Sequence, residues 1–238
     1  MKKCIIGLVP TARLFDTDDY YKDNYLFVNN YAKRVAENGG VPLGVLAADG
    51  YAIEESLQAC DGFVFCGGNR IFPYHFQAME HAVQSGKPVL GVCLGMQTMH
   101  SYFLVEDEAK RRGWDGPLLA LYEAMKKERY MFTEPVEHHW DVHMTRGHID
   151  EAKHPVAVEP GTLLHRLTGR QTLWGATMHR YRITQPSPRL TVSARAADGT
   201  AEAIECGERL LGVQFHPEVD REHDALFAYL VRLAGSRP

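Results

Sequence analysis

No stretch of the 238-residue sequence approaches the roughly 20 apolar residues that a membrane-spanning helix needs. Positive charge is not in excess either. With 26 Lys and Arg against 30 Asp and Glu the net charge is −4, so neither nucleic acid nor an anionic membrane is expected as a partner. Cysteine is sparse: five residues, at 4, 60, 66, 93 and 206, with no close paired spacing. That excludes a disulfide framework and a zinc ribbon and points to a reduced, cytoplasmic protein. The opening Met1-Lys2-Lys3-Cys4-Ile5-Ile6 is basic and then apolar, but Pro10, Arg13 and Asp16 interrupt it, as in a first strand rather than a signal peptide. Internal repeats, low-complexity tracts and linkers are missing, so residues 1–238 read as a single domain. The 45% hydrophobic and 24% charged residues are those of an ordinary soluble globular chain.

What is present is an alternation of short apolar runs with helical spacings. Strands are expected at residues 4–9, 41–46, 62–66 and 89–92. Helices are expected at 24–38, 53–59, 74–85 and 96–104; in the first, Leu26, Val28, Tyr31, Ala32 and Val35 recur at helical intervals until Gly39-Gly40. This order predicts an α/β fold, a mostly parallel central sheet flanked by helices. The last third is β-rich, with strands at 156–158, 172–178, 190–195, 201–206 and 209–215 before a helix at 220–233. Residues 105–140 break the alternation. They read either as an inserted, partly helical lid over the site or as an exposed connection with a solvated face.

In parallel sheets the ligand crevice lies at the carboxyl ends of the strands, where Cys93 and the Gly67-Gly68 loop both fall. Gly91-Val92-Cys93-Leu94-Gly95-Met96-Gln97 ends an apolar run at a cysteine with a glycine two residues to either side. That is the layout of a nucleophile elbow, a sharp strand-to-helix turn that displays one side chain, and the helix N-terminus favours a thiolate. The plain alternative is a buried cysteine at a strand end. Gly212-Val213-Gln214-Phe215-His216-Pro217-Glu218 ends a second run at a histidine with a carboxylate two residues on. In an extended segment those side chains point the same way. Glu218 can then hold one ring nitrogen of His216 while the other faces the thiol, a Cys–His–Glu relay.

These motifs resemble the class I glutamine amidotransferase superfamily, whose fold is flavodoxin-like. Within it they are most similar to the gamma-glutamyl-gamma-aminobutyrate hydrolase (gamma-glutamyl peptidase) family. The likeness runs from Ile5-Ile6-Gly7-Leu8-Val9-Pro10 through Tyr31 to Pro42, Gly67-Gly68, the Cys93 turn and the segment 194–205 to the His216-Pro217-Glu218 motif. It implies Cys93 as nucleophile, His216 as general base and then acid, and Glu218 as its orienter. It further implies an oxyanion hole from the backbone N–H groups of Gly68 and Leu94, with Gly67, Gln97 and His179 contacting substrate. Gln97 and His179 also fit plain capping or packing roles. The chain departs from the hydrolase branch at Leu94, where arginine is usual, at 99–104 in place of Gly-Gly-Thr-Leu, at Gly67-Gly68-Asn69-Arg70, and at Met178-His179-Arg180 in place of His-His-Gln.

The implied reaction is hydrolysis of a small gamma-glutamyl amine through a gamma-glutamyl thioester, releasing glutamate and an amine, with no cofactor. The alternative is a glutaminase subunit that supplies ammonia to a partner synthase, the only reading that needs a protein partner. A non-catalytic binding protein or redox sensor comes third. Monomer and homodimer are both open. Among the 12 histidines the densest run is His138, His139 and His143 around Asp141, with His148 following. It reads as a strand edge or pocket wall, and no metal is expected. Arg180 and Arg182 fit either an anionic substrate group or a solvated strand face, while Trp174 and Tyr181 read as packing residues.

Overall fold

The computed structural model describes residues 3–16, 18–139 and 148–236. Nine strands form one sheet: β1 (Ile5–Val9), β2 (Val41–Gly44), β3 (Gly62–Phe65), β4 (Val89–Val92), β5 (Lys153–Val158), β6 (Thr172–Ala176), β7 (Thr191–Arg195), β8 (Ala201–Cys206) and β9 (Leu210–Val213). Their spatial order is β6-β5-β7-β8-β9-β4-β3-β1-β2. From β2 to β9 every pairing is parallel, and from β9 to β6 every pairing is antiparallel. The expected α/β architecture with a β-rich C-terminal part is therefore present. β3, β4 and β9 are buried along their whole length, as parallel strands covered on both faces must be.

Among the described residues there are seven α-helices around the sheet: α1 (Asn29–Glu37), α2 (Glu54–Gln58), α3 (Pro73–Gln84), α4 (Leu94–Arg112), α5 (Leu118–Lys127), α6 (Leu163–Thr168) and α7 (Asp224–Gly235). The pleat divides the apolar residues between two cores. Phe63 and Phe65 of β3 join Phe76, Met79, Met99 and Tyr102 of α3 and α4 on one face. Val64 joins Tyr31, Val35, Phe227 and Leu230 of α1 and α7 on the other. Truncating one such buried aromatic typically costs about 3–5 kcal/mol.

Two boundaries differ from the sequence expectation. Residues 24–26 are not helical, because Asn24–Leu26 pairs antiparallel with Thr11–Arg13 and the helix begins only at Asn29. Local periodicity could not report a strand partner more than ten residues away. Nor do residues 105–140 break the pattern at their start. α4 runs on to Arg112, with Val105 and Ala109 continuing its buried stripe. It stops at Gly113 in the left-handed conformation (φ 63°), with Lys110, Arg111 and Arg112 in the last turn where cations suit the helix dipole. α5 then buries Leu121, Tyr122 and Met125, and Tyr122 stacks on Phe76 of α3 at 5.0 Å. The segment is therefore fastened to the core rather than a loose connection.

Candidate active site

The turn between β4 and α4 puts Cys93 at φ 52° and ψ −102°, a backbone state that a non-glycine residue adopts only when its surroundings impose it. The imposition is steric. A side chain at Gly95 would strike the carbonyl oxygen of Phe65, and one at Gly91 would lie 2.7 Å from the Gly95 carbonyl. The tight turn sets the sulfur at the positive end of a 19-residue helix. Cys93 is 6% exposed, and that exposure opens into a cavity.

Strand register supplies the partner. β9 lies parallel to β4 with Val213 opposite Val92, and the Cys93 N–H donates to the Val213 carbonyl at 2.8 Å. The chain beyond β9 is held in turn, because the Gln214 and His216 N–H groups donate to the Glu202 and Ala176 carbonyls, each at 2.8 Å. His216 is thereby delivered to Cys93 across 123 residues of sequence. Its Nδ1 lies 2.8 Å from Glu218 Oε1, with both side chains buried. Burial pushes the imidazole's pKa down, but the Glu218 carboxylate and the neighbouring Cys93 sulfur outweigh it and hold the pKa well above the ordinary histidine range. Nε2 makes no fully formed protein hydrogen bond, the loose geometry usual before substrate arrives.

The two expected oxyanion donors are adjacent. A side chain at Gly68 would strike Thr11 and come within 3.0 Å of Leu94 Cδ2, so loop and helix start are in close contact. Among the described residues neither the Gly68 nor the Leu94 N–H is bonded to another protein group. Gly67 is different: its N–H donates to the Tyr31 hydroxyl at 2.9 Å, and a side chain there would meet the His216 ring at 2.8 Å. It anchors the loop instead of offering a free donor. Tyr31 is fully buried beside Glu218, and burial together with that carboxylate raises its pKa. The sequence marked Tyr31 as a helix-face residue within a stretch of family likeness, not as a site residue.

A cavity of about 330 Å³ is lined by Gly68, Asn69, Cys93, Gln97, His179 and Tyr181, among others. It shares Asn69, Gln97 and Tyr181 with an outer hollow of about 540 Å³ walled by Arg70, Tyr122, Lys126 and Tyr130. α5, the turn after it and the loop carrying Arg70 form that wall. Gln97 donates from Nε2 to the Tyr181 carbonyl and to Gln214 Oε1, both at 3.2 Å. A hollow of about 570 Å³ lined by Arg182, Arg195 and Asp198 contains none of these groups.

His179 lines the inner cavity but is 3% exposed and turns into a second cluster. Its Nδ1 donates to the Tyr181 carbonyl at 3.1 Å, while Nε2 lies 3.1 Å from His139 Nδ1 and 3.4 Å from Glu202 Oε1. Among the described residues of the histidine-rich run only His139 belongs to this cluster. His138 is exposed, His148 pairs with Glu151, and Asp141 and His143 lie outside the described residues. Burial works against the charge on Glu202, yet His139, His154 and His179 hold its pKa below the carboxylate range. Sequence reading missed Glu202 and His154, since neither sits in a motif. Arg182 pairs with Glu134 at 2.8 Å. Trp174 and Tyr181, expected to pack, are 53% and 49% exposed.

A model of the glutamine amidotransferase class-I family matches residues 20–228. A CTP synthase of Halobacterium salinarum is 28% identical over 214 residues, 83% of this chain and 37% of its own length. Protein NtpR of Enterococcus hirae is 24% identical over 259 residues, covering 96% of this chain and 98% of its own. The chain spans between 37% and 42% of the CTP synthases it matches from H. salinarum and Methanothermobacter thermautotrophicus. Two solved structures share the fold. A glutamine amidotransferase from Thermotoga maritima has a TM-score of 0.64 at 14% identity, covering 99% of this chain and 100% of that one. The CTPS glutaminase domain from Trypanosoma brucei, with bound acivicin, has a TM-score of 0.65 at 18% identity, covering 98% and 94%. No helix among the described residues is long and apolar enough to cross a membrane.

Proposed function

The chain belongs to the class-I glutamine amidotransferase family, and from that premise we propose that it hydrolyses the gamma-glutamyl amide bond of a small gamma-glutamyl amine through a thioester on Cys93. The observation that carries this reading is the meeting of Cys93, His216 and Glu218 at the level ends of β4 and β9. An amide resists hydrolysis because its carbonyl is a weak electrophile and its nitrogen a poor leaving group. The Cys93 thiolate attacks the carbonyl carbon, and the oxyanion that forms is met by the Gly68 and Leu94 N–H groups. Losing one such donor typically costs about 100- to 1,000-fold in rate. The His216 imidazolium gives its proton to the departing nitrogen as the C–N bond breaks, leaving a gamma-glutamyl thioester. His216, now neutral, takes a proton from water, hydroxide adds to the thioester, and glutamate leaves as the thiolate is restored. Glu218 fixes the tautomer and steadies the imidazolium.

The two joined hollows support an amine larger than ammonia. The inner one, with Cys93 and Gln97, suits the glutamyl part, and the outer one is open to the leaving group. We place the protein in the cytosol on its cysteine usage. The second reading, a glutaminase that passes ammonia to a synthase, is favoured by the CTP synthase relatives and by Leu94. A panel of gamma-glutamyl amides including glutamine separates the two. The proposal expects glutamate release from an amide with a bulky amine, a trapped acyl-enzyme on a His216 variant, and no activity in Cys93→Ala. Weak turnover of glutamine alone, stimulated by a synthase, would replace it with the second reading. Release of glutamate from none of them, with Cys93 unreactive, would end both.

A further inference from the structure

We propose that His139, His179 and Glu202 form a three-ligand zinc site behind the wall of the substrate cavity, with His154 beside Glu202. These residues and His154 come from separate segments: the stretch before the undescribed residues, β5, the loop after β6, and the start of β8. His139 Nδ1, His154 Nε2 and His179 Nε2 lie 3.4, 3.6 and 3.4 Å from Glu202 Oε1, and His139 Nδ1 lies 3.1 Å from His179 Nε2. Four ligands at the usual zinc distance of about 2.0–2.1 Å sit at the corners of a tetrahedron whose edges are about 3.3–3.4 Å. The three separations among His139 Nδ1, His179 Nε2 and Glu202 Oε1 match one face of it to within a few tenths of an ångström. Two imidazoles and a carboxylate are also a donor set that suits zinc.

Hydrogen-bond accounting leads to the same place. His179 Nδ1 faces the Tyr181 carbonyl, which only accepts, so that nitrogen carries the proton. His139 Nε2 faces Asp198 Oδ2 at 3.2 Å and carries one likewise. In neutral rings the two inward nitrogens are then both lone pairs, 3.1 Å apart, which is repulsive unless a cation lies between them. Glu202 is 0% exposed and neither of its oxygens has a hydrogen-bond partner; His154 Nε2 is buried and lacks one too. Outward N–H groups held by a carboxylate and a backbone carbonyl are the usual support of zinc-bound histidines. Glu205, three residues along β8, shows the contrast: it is buried too, but both its oxygens accept N–H groups from the start of α6.

All three protein ligands are buried, so the zinc would brace the fold from inside. It would tie His139 to His179, and the backbone follows, since the His179 N–H donates to the His139 carbonyl at 2.9 Å. That bond braces the 178–181 stretch of the cavity wall. The inference stands whichever amide is cleaved, and it reverses the sequence expectation of no metal.

The test is metal content. Protein purified without chelators should carry about one zinc per chain by mass spectrometry of the metal. Chelator-stripped protein should take up cobalt(II) with the visible absorption of a four-coordinate ion, and zinc should raise its melting temperature. Glu202→Gln and His179→Ala should lose most of the zinc, and Asp198→Asn should weaken binding by about 10- to 100-fold. His148→Ala, in the same histidine-rich run but outside the cluster, should keep all of it. If wild-type protein carries no zinc, shows no cobalt spectrum and melts at the same temperature with or without added zinc, the cluster is a protonated histidine network and the proposal is overturned. The wild-type measurements decide the matter even if a variant fails to fold.

Discussion

Two histidine–carboxylate clusters flank one cavity, and they are built in opposite ways. In the first, His216 and Glu218 are two residues apart, and only Cys93 is brought from a distance. In the second, His139, His154, His179 and Glu202 spread over 63 residues and share no motif. The first leaves one imidazole nitrogen without a partner near Cys93 beside a cavity, an open arrangement suited to moving a proton. The second turns imidazole nitrogens and a carboxylate inward on one another, an arrangement suited to holding a cation. Moving a proton needs a group open to substrate, whereas holding a metal needs donors that converge away from it.

Breaking each cluster should therefore have opposite consequences. Cys93→Ala should lower turnover of the best gamma-glutamyl amide by about 10⁴- to 10⁶-fold with the fold intact by circular dichroism. Activity within tenfold of wild type would remove Cys93 from the mechanism. Glu218→Gln should lower kcat by about 10²- to 10⁴-fold. Because the Glu218 carboxylate helps raise the His216 pKa, the same variant should move the His216 NMR titration downward; an unchanged midpoint would show that this charge is not what sets it. Glu202→Gln should do the reverse. Loss of a buried ionic partner should cost about 3–5 kcal/mol, read from the denaturant midpoint, while the folded enzyme keeps kcat within about tenfold. Should Glu202→Gln abolish kcat without affecting stability, the division of labour drawn between the clusters would be wrong.

A smaller effect separates backbone from side chain at the elbow. Leu94 is 3% exposed, so Leu94→Ala should destabilise by roughly 2–5 kcal/mol. Its N–H remains, and kcat should fall less than about tenfold, well short of losing an oxyanion donor. The smallest effect is on pH dependence. Burial lowers the His75 pKa to about 3 and the His100 pKa to about 4, below the unfolded value of about 6.5. As pH falls below about 6.5 the unfolded chain takes up protons that the folded chain refuses, so stability is lost toward acid. His216 has the opposite sign. Its raised pKa contributes stability that is fully present below about 6.5 and is lost as pH rises through the folded value. His100→Gln should flatten the acid-side decline in urea midpoint and leave the alkaline side alone; an unaltered acid side would mean that His100 does not drive it.

The parallel strands were legible because a strand buried on both faces is a short continuous apolar run bounded by glycine or proline, as β3 and β4 are. Residues 24–26 were misread because a three-residue strand in a ribbon has too little pattern to compete with a helical spacing. The charged start of residues 105–140 concealed eight more helical residues, 105 to 112, since a long helix with a solvated face looks polar when read linearly. His179 stood out as a site residue, yet its orientation into the second cluster depends on Glu202 and His139, which pairing and loop geometry alone bring to it.

The sequence by itself determined the elbow and the His216–Glu218 pair. Both rest on local geometry, a turn with no room for side chains and an extended segment of period two, which needs no knowledge of the rest of the chain. Only the tertiary structure decided that Val213 ends level with Val92, so that His216 comes to Cys93, and that a glutamate near the start of β8 faces three distant histidines. Register between strands and the convergence of separate loops are set by packing over the whole domain, and no short window of sequence contains that information.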